Sequence, residues 1–315
     1  LYKKFTYSEE PTYRLDAISK KELGIGKIEY EGSLDDLWRE DPDKFISYSV
    51  IDTWLVKQMD LKLDYIDIAC GICHKGHVPY SDISFTSKYL EGSLLTHLYR
   101  QNLVAVRTEK PKDTSKAEGA YVKEPNPGVY RWIYDLDLTS LYPWNIISLN
   151  ISPETKFGHI YQWDQKAYLS KSSNDDRPWT ILKKGDKVTQ KFFEDLDEIN
   201  ENEIRFTSTS ELKQYLIDTN KSISSAGIIY NLDKVGLIPD VLRRWFSERT
   251  EYSNLMKEYG LNGDVEKERY YDKKQLVTKI LLNSLYGVLL LPTFRFYDKQ
   301  NGESVTVSGK TGIKW

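Results

Sequence analysis

The stretch YDLDLTSLYPWNII, residues 134–147, sets two carboxylates, Asp135 and Asp137, two positions apart where a strand-like run breaks into a turn. Such a pair can ligate a divalent cation that acts on a phosphoryl group, or can divide the roles of nucleophile and acid/base on a phosphoester. A second polar set lies further along, inside two apolar stretches. Arg249 falls four residues after Trp245 and three before Tyr252, on a seam where an apolar residue belongs. Lys279, Asn283 and Tyr286 follow at spacings of four and three, so they share one helix face. An arginine whose stem packs while its head reaches water is the bland reading of Arg249. A half-buried lysine and asparagine beside a helix carrying that arginine are costly, however, unless something anionic sits between them. Guanidinium grips phosphate bidentately and ammonium serves as a point charge, so a triphosphate fits the pair of helices.

The two cysteines of the chain stand together in CGICHKGH, as Cys70, Cys73, His74 and His77. The pattern matches c-type haem attachment and could supply half of a zinc site. His97 and His159 stand alone, and no second C-x-x-C completes a set of four. The expectation is two reduced cysteines at a turn or strand end.

The elements that must hold these groups follow from pattern. The chain has 315 residues, 40% hydrophobic and 13% aromatic, which excludes disorder and leaves room for two or three modest domains. A net charge of −3 carries no global nucleic-acid signature. No apolar run approaches the about 18 residues that span a bilayer, so a soluble, cytoplasmic protein without a membrane partner is expected. Residues 33–63 carry Ile46, Val50, Trp54, Leu55 and Met59 at helical spacing after an acidic, proline-marked start. Residues 106–128 are polar, with several Lys and Pro, and read as a connection. GVYRWIYDLD then alternates as a strand would, and SLYPWNIISLN can start a helix with Pro143 early in it. Residues 163–225 offer one short helix, SELKQYLIDTN, capped at Ser210 or a neighbouring hydroxyl. PDVLRRWFSERTEYSNLMKEYG is a long amphipathic helix with Leu242, Trp245, Tyr252, Met256 and Tyr259 on its seam. After a polar turn, LNGDVEKER, a second helix runs through YYDKKQLVTKILLNSLYGVLLL, with Leu281, Leu282, Leu285, Val288 and Leu289 lining its apolar side.

Here the resemblance becomes specific. DLTSLYPWNIISLNISPET resembles motif A of family B DNA polymerases, D-x-x-S-L-Y-P, and KILLNSLYG resembles their motif B, K-x-x-x-N-S-x-Y-G. DKVGLIPDVL leads between them into a first fingers helix, in the family's order. YSVID is similar to the third exonuclease motif, Y-x-x-x-D, at Tyr48 and Asp52, and LDAISKKELGIGK and EGAYVKEP resemble family segments around it. Within the family the chain is most similar to the T-even type of tailed-phage replicative enzyme. The resemblance implies an α+β fold: an antiparallel palm sheet with helices and a two-helix fingers hairpin, after a helix-rich exonuclease remnant. The implied domains are 1–106 (end of the exonuclease and N-terminal region), 107–235 (first part of the palm), 236–292 (fingers) and 293–315 (start of the second palm segment).

The resemblance also implies roles. Asp137, with the Leu138 backbone, would ligate two Mg2+ ions in the complete enzyme, for addition of deoxynucleoside triphosphates to a primer. The turn Leu138, Thr139, Ser140, Leu141 and Tyr142 would meet the triphosphate, the Tyr142 ring excluding a ribose. Arg249, Lys279 and Asn283 would hold the triphosphate, with Tyr286 and Gly287 near the nascent base pair. Tyr48 and Asp52 would be an exonuclease remnant. Implied partners are primer–template DNA, a complementary polymerase half, and a sliding clamp for the complete enzyme.

Departures accompany the match. Ser253 stands where the family usually has a second fingers cation, leaving Lys257 as a substitute, and Trp144 and Asn145 replace a small residue and an isoleucine. Motif C, Y-x-D-T-D, does not occur in these residues, and the exonuclease D-x-E that should partner Asp52 is missing ahead of it. A fragment inactive alone in primer extension is therefore expected, its complement bringing motif C and the thumb. Two rival readings stand beside it. DLDLT also satisfies the D-x-D-x-T of haloacid-dehalogenase-like phosphatases, with Asp135 as nucleophile, Asp137 as acid/base and GDVEKE as the further acidic motif. Alternatively the chain is a non-catalytic DNA-binding module whose Lys-rich 107–131 stretch meets phosphates.

Overall fold

A computed structural model of the chain describes residues 1–6, 9–105, 119–134, 137–138, 140–170, 177–184 and 203–314. Contacts divide it into two compact units, Leu1–Ser84 and Phe85–Trp315.

In the first unit, helices α1 (Tyr2–Phe5), α2 (Leu15–Leu23), α3 (Leu34–Glu40), α4 (Pro42–Leu63) and α5 (Tyr65–Gly76) follow in order. Ser33 and Asp36 form a reciprocal capping box on α3. The Asp41 carboxylate accepts from the Lys44 N–H to start α4, with Pro42 as its first residue, where no N–H is needed. The helix expected here is present, but its stripe is turned the other way. Leu55 is fully buried, with α2 and α3 packed against α4, whereas Ile46, Val50 and Trp54 are exposed. Helical spacing marks an apolar face, and neighbours decide whether it is covered.

Cys70 and Cys73 lie within α5, not at the expected turn or strand end. Both are free thiols, Cys70 exposed and Cys73 buried, and burial pushes the Cys73 thiol up. His77 caps the helix in the left-handed conformation. Among the described residues no three histidine, cysteine or acidic side chains converge as a metal site.

The second unit opens with α6 (Thr86–Arg100) and continues through α7 (Leu141–Leu149) into a five-stranded sheet. Its strands are β1 (Lys156–Ile160), β2 (Trp179–Lys183), β3 (Glu203–Phe206), β4 (Lys221–Ile223) and β5 (Ile228–Asn231), in the spatial order β3-β2-β1-β5-β4. Every pairing is antiparallel. Helices α8 (Gln165–Leu169) and α9 (Thr209–Asp218) interrupt the strands. Ser208, the neighbour of the expected cap, accepts from the Glu211 N–H at the start of α9. Ile160, Trp179, Ile181, Phe206, Leu212, Leu216 and Ile229 form a core between the sheet and α9. The fold is α+β, as expected, but most of this sheet was hidden in a segment whose strands are only three to five residues long.

The strand expected over 128–137 is not formed in the described part. Residues 129–134 lack regular structure, and Val129, Trp132, Ile133 and Tyr134 are exposed. A strand needs a neighbour for its N–H and C=O groups, and no described segment pairs here. Asp135 and Leu136 lie outside the described residues.

Two long antiparallel helices, α10 (Leu237–Leu261) and α11 (Val265–Leu289), make the expected hairpin. The turn is shorter than LNGDVEKER, because Asp264 caps α11 by accepting from the Lys267 N–H and the helix begins at Val265. Leu281, Leu282, Leu285, Val288 and Leu289 are buried, as their spacing predicts. The base of α10 is tied to α6. Arg244 Nη1 donates to His97 Nδ1 at 3.2 Å, and His97 Nε2 lies 2.7 Å from Asp240 Oδ2 and 2.9 Å from Gln101 Nε2. A last helix, α12 (Lys299–Lys314), was not read from the sequence. Gly302, Gly309 and Gly312 each disfavour a helix by about 1 kcal/mol relative to alanine. Its packing against α7, α11 and β5 overrides that preference.

Candidate functional site

A cavity of about 600 Å³ opens where the start of α7 meets the last turns of α11 and α12. Asp137, Leu138, Ser140, Leu141, Tyr142 and Pro143 line one side, Asn283 and Tyr286 another, and Gly312 and Ile313 a third. Residues far apart in the chain are thus brought together, two of them on a helix that gave no sequence signal.

Local geometry explains how the first group is presented. Ser140 precedes α7 with φ 57° and ψ 42°, a left-handed conformation that costs a non-glycine residue about 1–3 kcal/mol. The bend leaves Asp137 and Leu138 exposed at the cavity mouth. The Leu138 carbonyl accepts from Leu141 N at 3.3 Å, and a carbonyl keeps a second lone pair for another partner. Thr139 lies outside the described residues. The Tyr142 ring stacks on Tyr286, with centroids 4.5 Å apart and planes 29° from parallel. Burial raises the Tyr286 phenol above its ordinary value, so it stays protonated as a donor.

The unusual residues of the turn have partners of their own. Trp144 stacks on Phe246 of α10 at 5.2 Å, and Asn145 Nδ2 donates to the Val305 carbonyl of α12 at 3.4 Å. A small residue and an isoleucine could make neither contact.

Asn283 is exposed, and Lys279, one turn earlier on α11, is half-buried, as is Arg249 on α10. Among the described residues the Arg249 and Lys279 side chains have no acceptor and the Asn283 side chain no hydrogen-bond partner. Lys279 and Arg249 do not line the cavity itself. They stand on the hairpin that rises from it. Gly287 is open on its side-chain face, with nothing within 4 Å of a Cβ added there.

As a metal centre the site is incomplete in the described residues. Asp137 offers one carboxylate, and no three acidic, histidine or cysteine groups converge on it. The residues present therefore do not by themselves fit a magnesium pair.

Tyr48 and Asp52 sit one turn apart on α4 in the first unit, each bonded to Lys27. Lys27 Nζ lies 2.7 Å from Asp52 Oδ2, and the bond to Asp52, then that to Tyr48, holds the ammonium above the usual lysine range. Asp52 Oδ1 is buried without a partner. An internal ammonium thus occupies the side of Asp52 where a cation could bind.

The phosphatase alternative is not assembled. Asp264 of GDVEKE lies 19 residues before Asn283 along α11, about 28 Å at 1.5 Å per residue, and its carboxylate is used as a helix cap. Asp135 is outside the described residues.

Comparison with known proteins bears on the family of the chain. Residues 84–314 match the family described as DNA polymerase family B. The chain is 29% identical to a DNA-directed DNA polymerase of Escherichia phage RB69 and 27% identical to that of Enterobacteria phage T4, in each case over 100% of this chain and 36% of the relative. It is 25% identical to DNA polymerase 1 of Pyrococcus abyssi, over 96% of this chain and 33% of the relative. The chain spans about a third of the length of these relatives. The chain belongs to DNA polymerase family B.

Proposed function

We propose that this chain forms the nucleotide-binding part of a DNA-directed DNA polymerase, combining the first part of a palm (107–235), a fingers hairpin (236–292) and the start of a second palm segment (293–315). The supporting observation is the cavity that joins Asp137 and the turn before α7 to Asn283 and Tyr286, beneath two cations with no acceptor among the described residues. Arg249, Lys279 and Asn283 bind the triphosphate of a deoxynucleotide, with donors from the Leu138–Tyr142 backbone. The Tyr142 ring lies against the sugar and excludes a 2′ hydroxyl, while Tyr286 and Gly287 flank the new base pair. Asp137, with the Leu138 carbonyl, is one ligand position of a magnesium centre whose other carboxylates come from outside the described residues.

Primer–template DNA is the macromolecular substrate, and the partner is a polypeptide segment carrying motif C and the thumb. A sliding clamp belongs to the assembled enzyme. Residues 1–106 are the end of an exonuclease and N-terminal region, in which the Lys27–Asp52 pair leaves Asp52 neutralised. No helix of the described residues is long and apolar enough to cross a membrane. The proposed location is the cytoplasm of a phage-infected host.

The test is twofold. The purified 315-residue chain should bind dATP, with affinity reduced about ten-fold or more in Lys279→Ala, given about 1.5–3 kcal/mol for a charged hydrogen bond. It should not extend a primed template alone, and should do so when a segment with motif C and the thumb is added, unless Asp137 is replaced by asparagine. Extension that survives Asp137→Asn would sink the assignment.

A further inference from the structure

The Tyr142 ring needs a seat, and the packing behind it identifies one. Gly309 lies on α12, the helix that gave no sequence signal, on the face turned to α7. A Cβ placed on Gly309 would lie 3.0 Å from Tyr142 Cε1, 3.2 Å from Asn145 Nδ2 and 3.4 Å from Leu141 Cδ2. A carbon at 3.0–3.4 Å is tighter than ordinary contact, so a neighbour would have to give by a few tenths of an ångström. The neighbour with room to move is the tyrosine. Asn145 is held by its bond to the Val305 carbonyl, and Tyr142 faces the open cavity.

Position decides the direction. Gly312 and Ile313 line the cavity, while Gly309, one turn earlier, does not. Gly309 meets the ring at its Cε1 edge, while Tyr142 itself lines the cavity. Tyr286 closes one flank by stacking at 4.5 Å. The ring thus has the Gly309 backbone at one edge and Tyr286 against one face, and borders the cavity.

We propose that Gly309 is a positioning residue for sugar selection: its missing side chain lets Tyr142 sit back against α12, and that setback fixes how much room the cavity leaves at the 2′ carbon of a nucleotide. This rests on the reading of Tyr142 as the group that meets the sugar. Adding a methyl at 309 pushes the ring into the cavity and narrows the space further.

The test compares dATP and ATP binding to the full chain. Gly309→Ala should raise the ATP-to-dATP ratio of dissociation constants by at least about three-fold, since one misplaced methylene at a binding wall changes discrimination by that order or more. The change should vanish when Gly309→Ala is made in a Tyr142→Ala background, because the coupling runs through that ring. Should Gly309→Ala fail to fold, Asn145→Ala loosens the same seat without overpacking and should lower the ratio in the wild-type background only. If Tyr142→Ala changes the ratio but Gly309→Ala and Asn145→Ala do not, the inference is wrong and the site assignment stands. If Tyr142→Ala leaves the ratio unchanged, or the chain binds neither nucleotide, the reading of Tyr142 fails and the sugar-selection role falls with it. The packing is read independently by 19F NMR of chain labelled with 3-fluorotyrosine, the Tyr142 resonance being assigned by its loss in Tyr142→Phe. It should shift in Gly309→Ala, and an unmoved resonance overturns the seat itself.

Discussion

Arg249 and Lys279 are informative at the scale of single residues: each is half-buried on its helix, and among the described residues neither has an acceptor. A cation kept for fold stability would be paired; one kept for a ligand is unpaired until the ligand arrives. Arg249→Ala should therefore weaken dATP binding about ten-fold or more while leaving the urea midpoint of unfolding within error of wild type. A large drop in midpoint with unchanged binding would identify Arg249 as a structural residue. The same reasoning separates Asp137, exposed at the cavity, from Asp52, whose outer oxygen is already taken by Lys27.

At the scale of elements, the hairpin α10/α11 shows why helical spacing is a strong signal. Leu281 and Leu285 are fully buried, while Leu261 at the turn is 90% exposed. Leu285→Ala should cost about 2–5 kcal/mol, from lost transfer energy and the cavity left behind, and Leu261→Ala less than about 0.5 kcal/mol. Chemical denaturation of the two variants measures the contrast directly; equal losses would mean that the hairpin is packed differently. The shorter elements behave otherwise. Strands of three to five residues carry too few alternations to be told from loop, and they are ordered here by their partners: Ile229 on β5 and Ile181 on β2 are both fully buried. Helix α12 is the opposite case, an element whose own glycines argue against it. Gly302 packs closely, since a Cβ there would come within 2.0 Å of Leu290 Cδ2 and that side chain would have to shift.

For the molecule as a whole, the division at Ser84/Phe85 carries a consequence of its own. The second unit holds a sheet core formed by residues between Ile160 and Ile229, and the buried leucines of the hairpin also lie within it. A polypeptide of residues 85–315 should therefore unfold in a cooperative transition and keep the dATP affinity of the full chain. Loss of either would show that the first unit supplies part of the site. Helix α4 in the first unit leaves an apolar groove along Ile46, Val50 and Trp54.

The local sequence alone determined the hairpin, the helix at Leu141–Leu149, the polar positions on α11 and the family, because each rests on spacing within one or two turns of chain or on a contiguous motif. It could not determine that Ile46, Val50 and Trp54 are exposed, that residues 129–134 pair with no described segment, or that Trp144 and Asn145 find partners on α10 and α12. Those depend on which surfaces meet, which no local period encodes. The back wall of the site is the clearest instance. Gly312 and Ile313 reach the cavity, and Gly309 reaches Tyr142, only because α12 packs against α7, and a helix poor in intrinsic propensity exists only where such packing holds it.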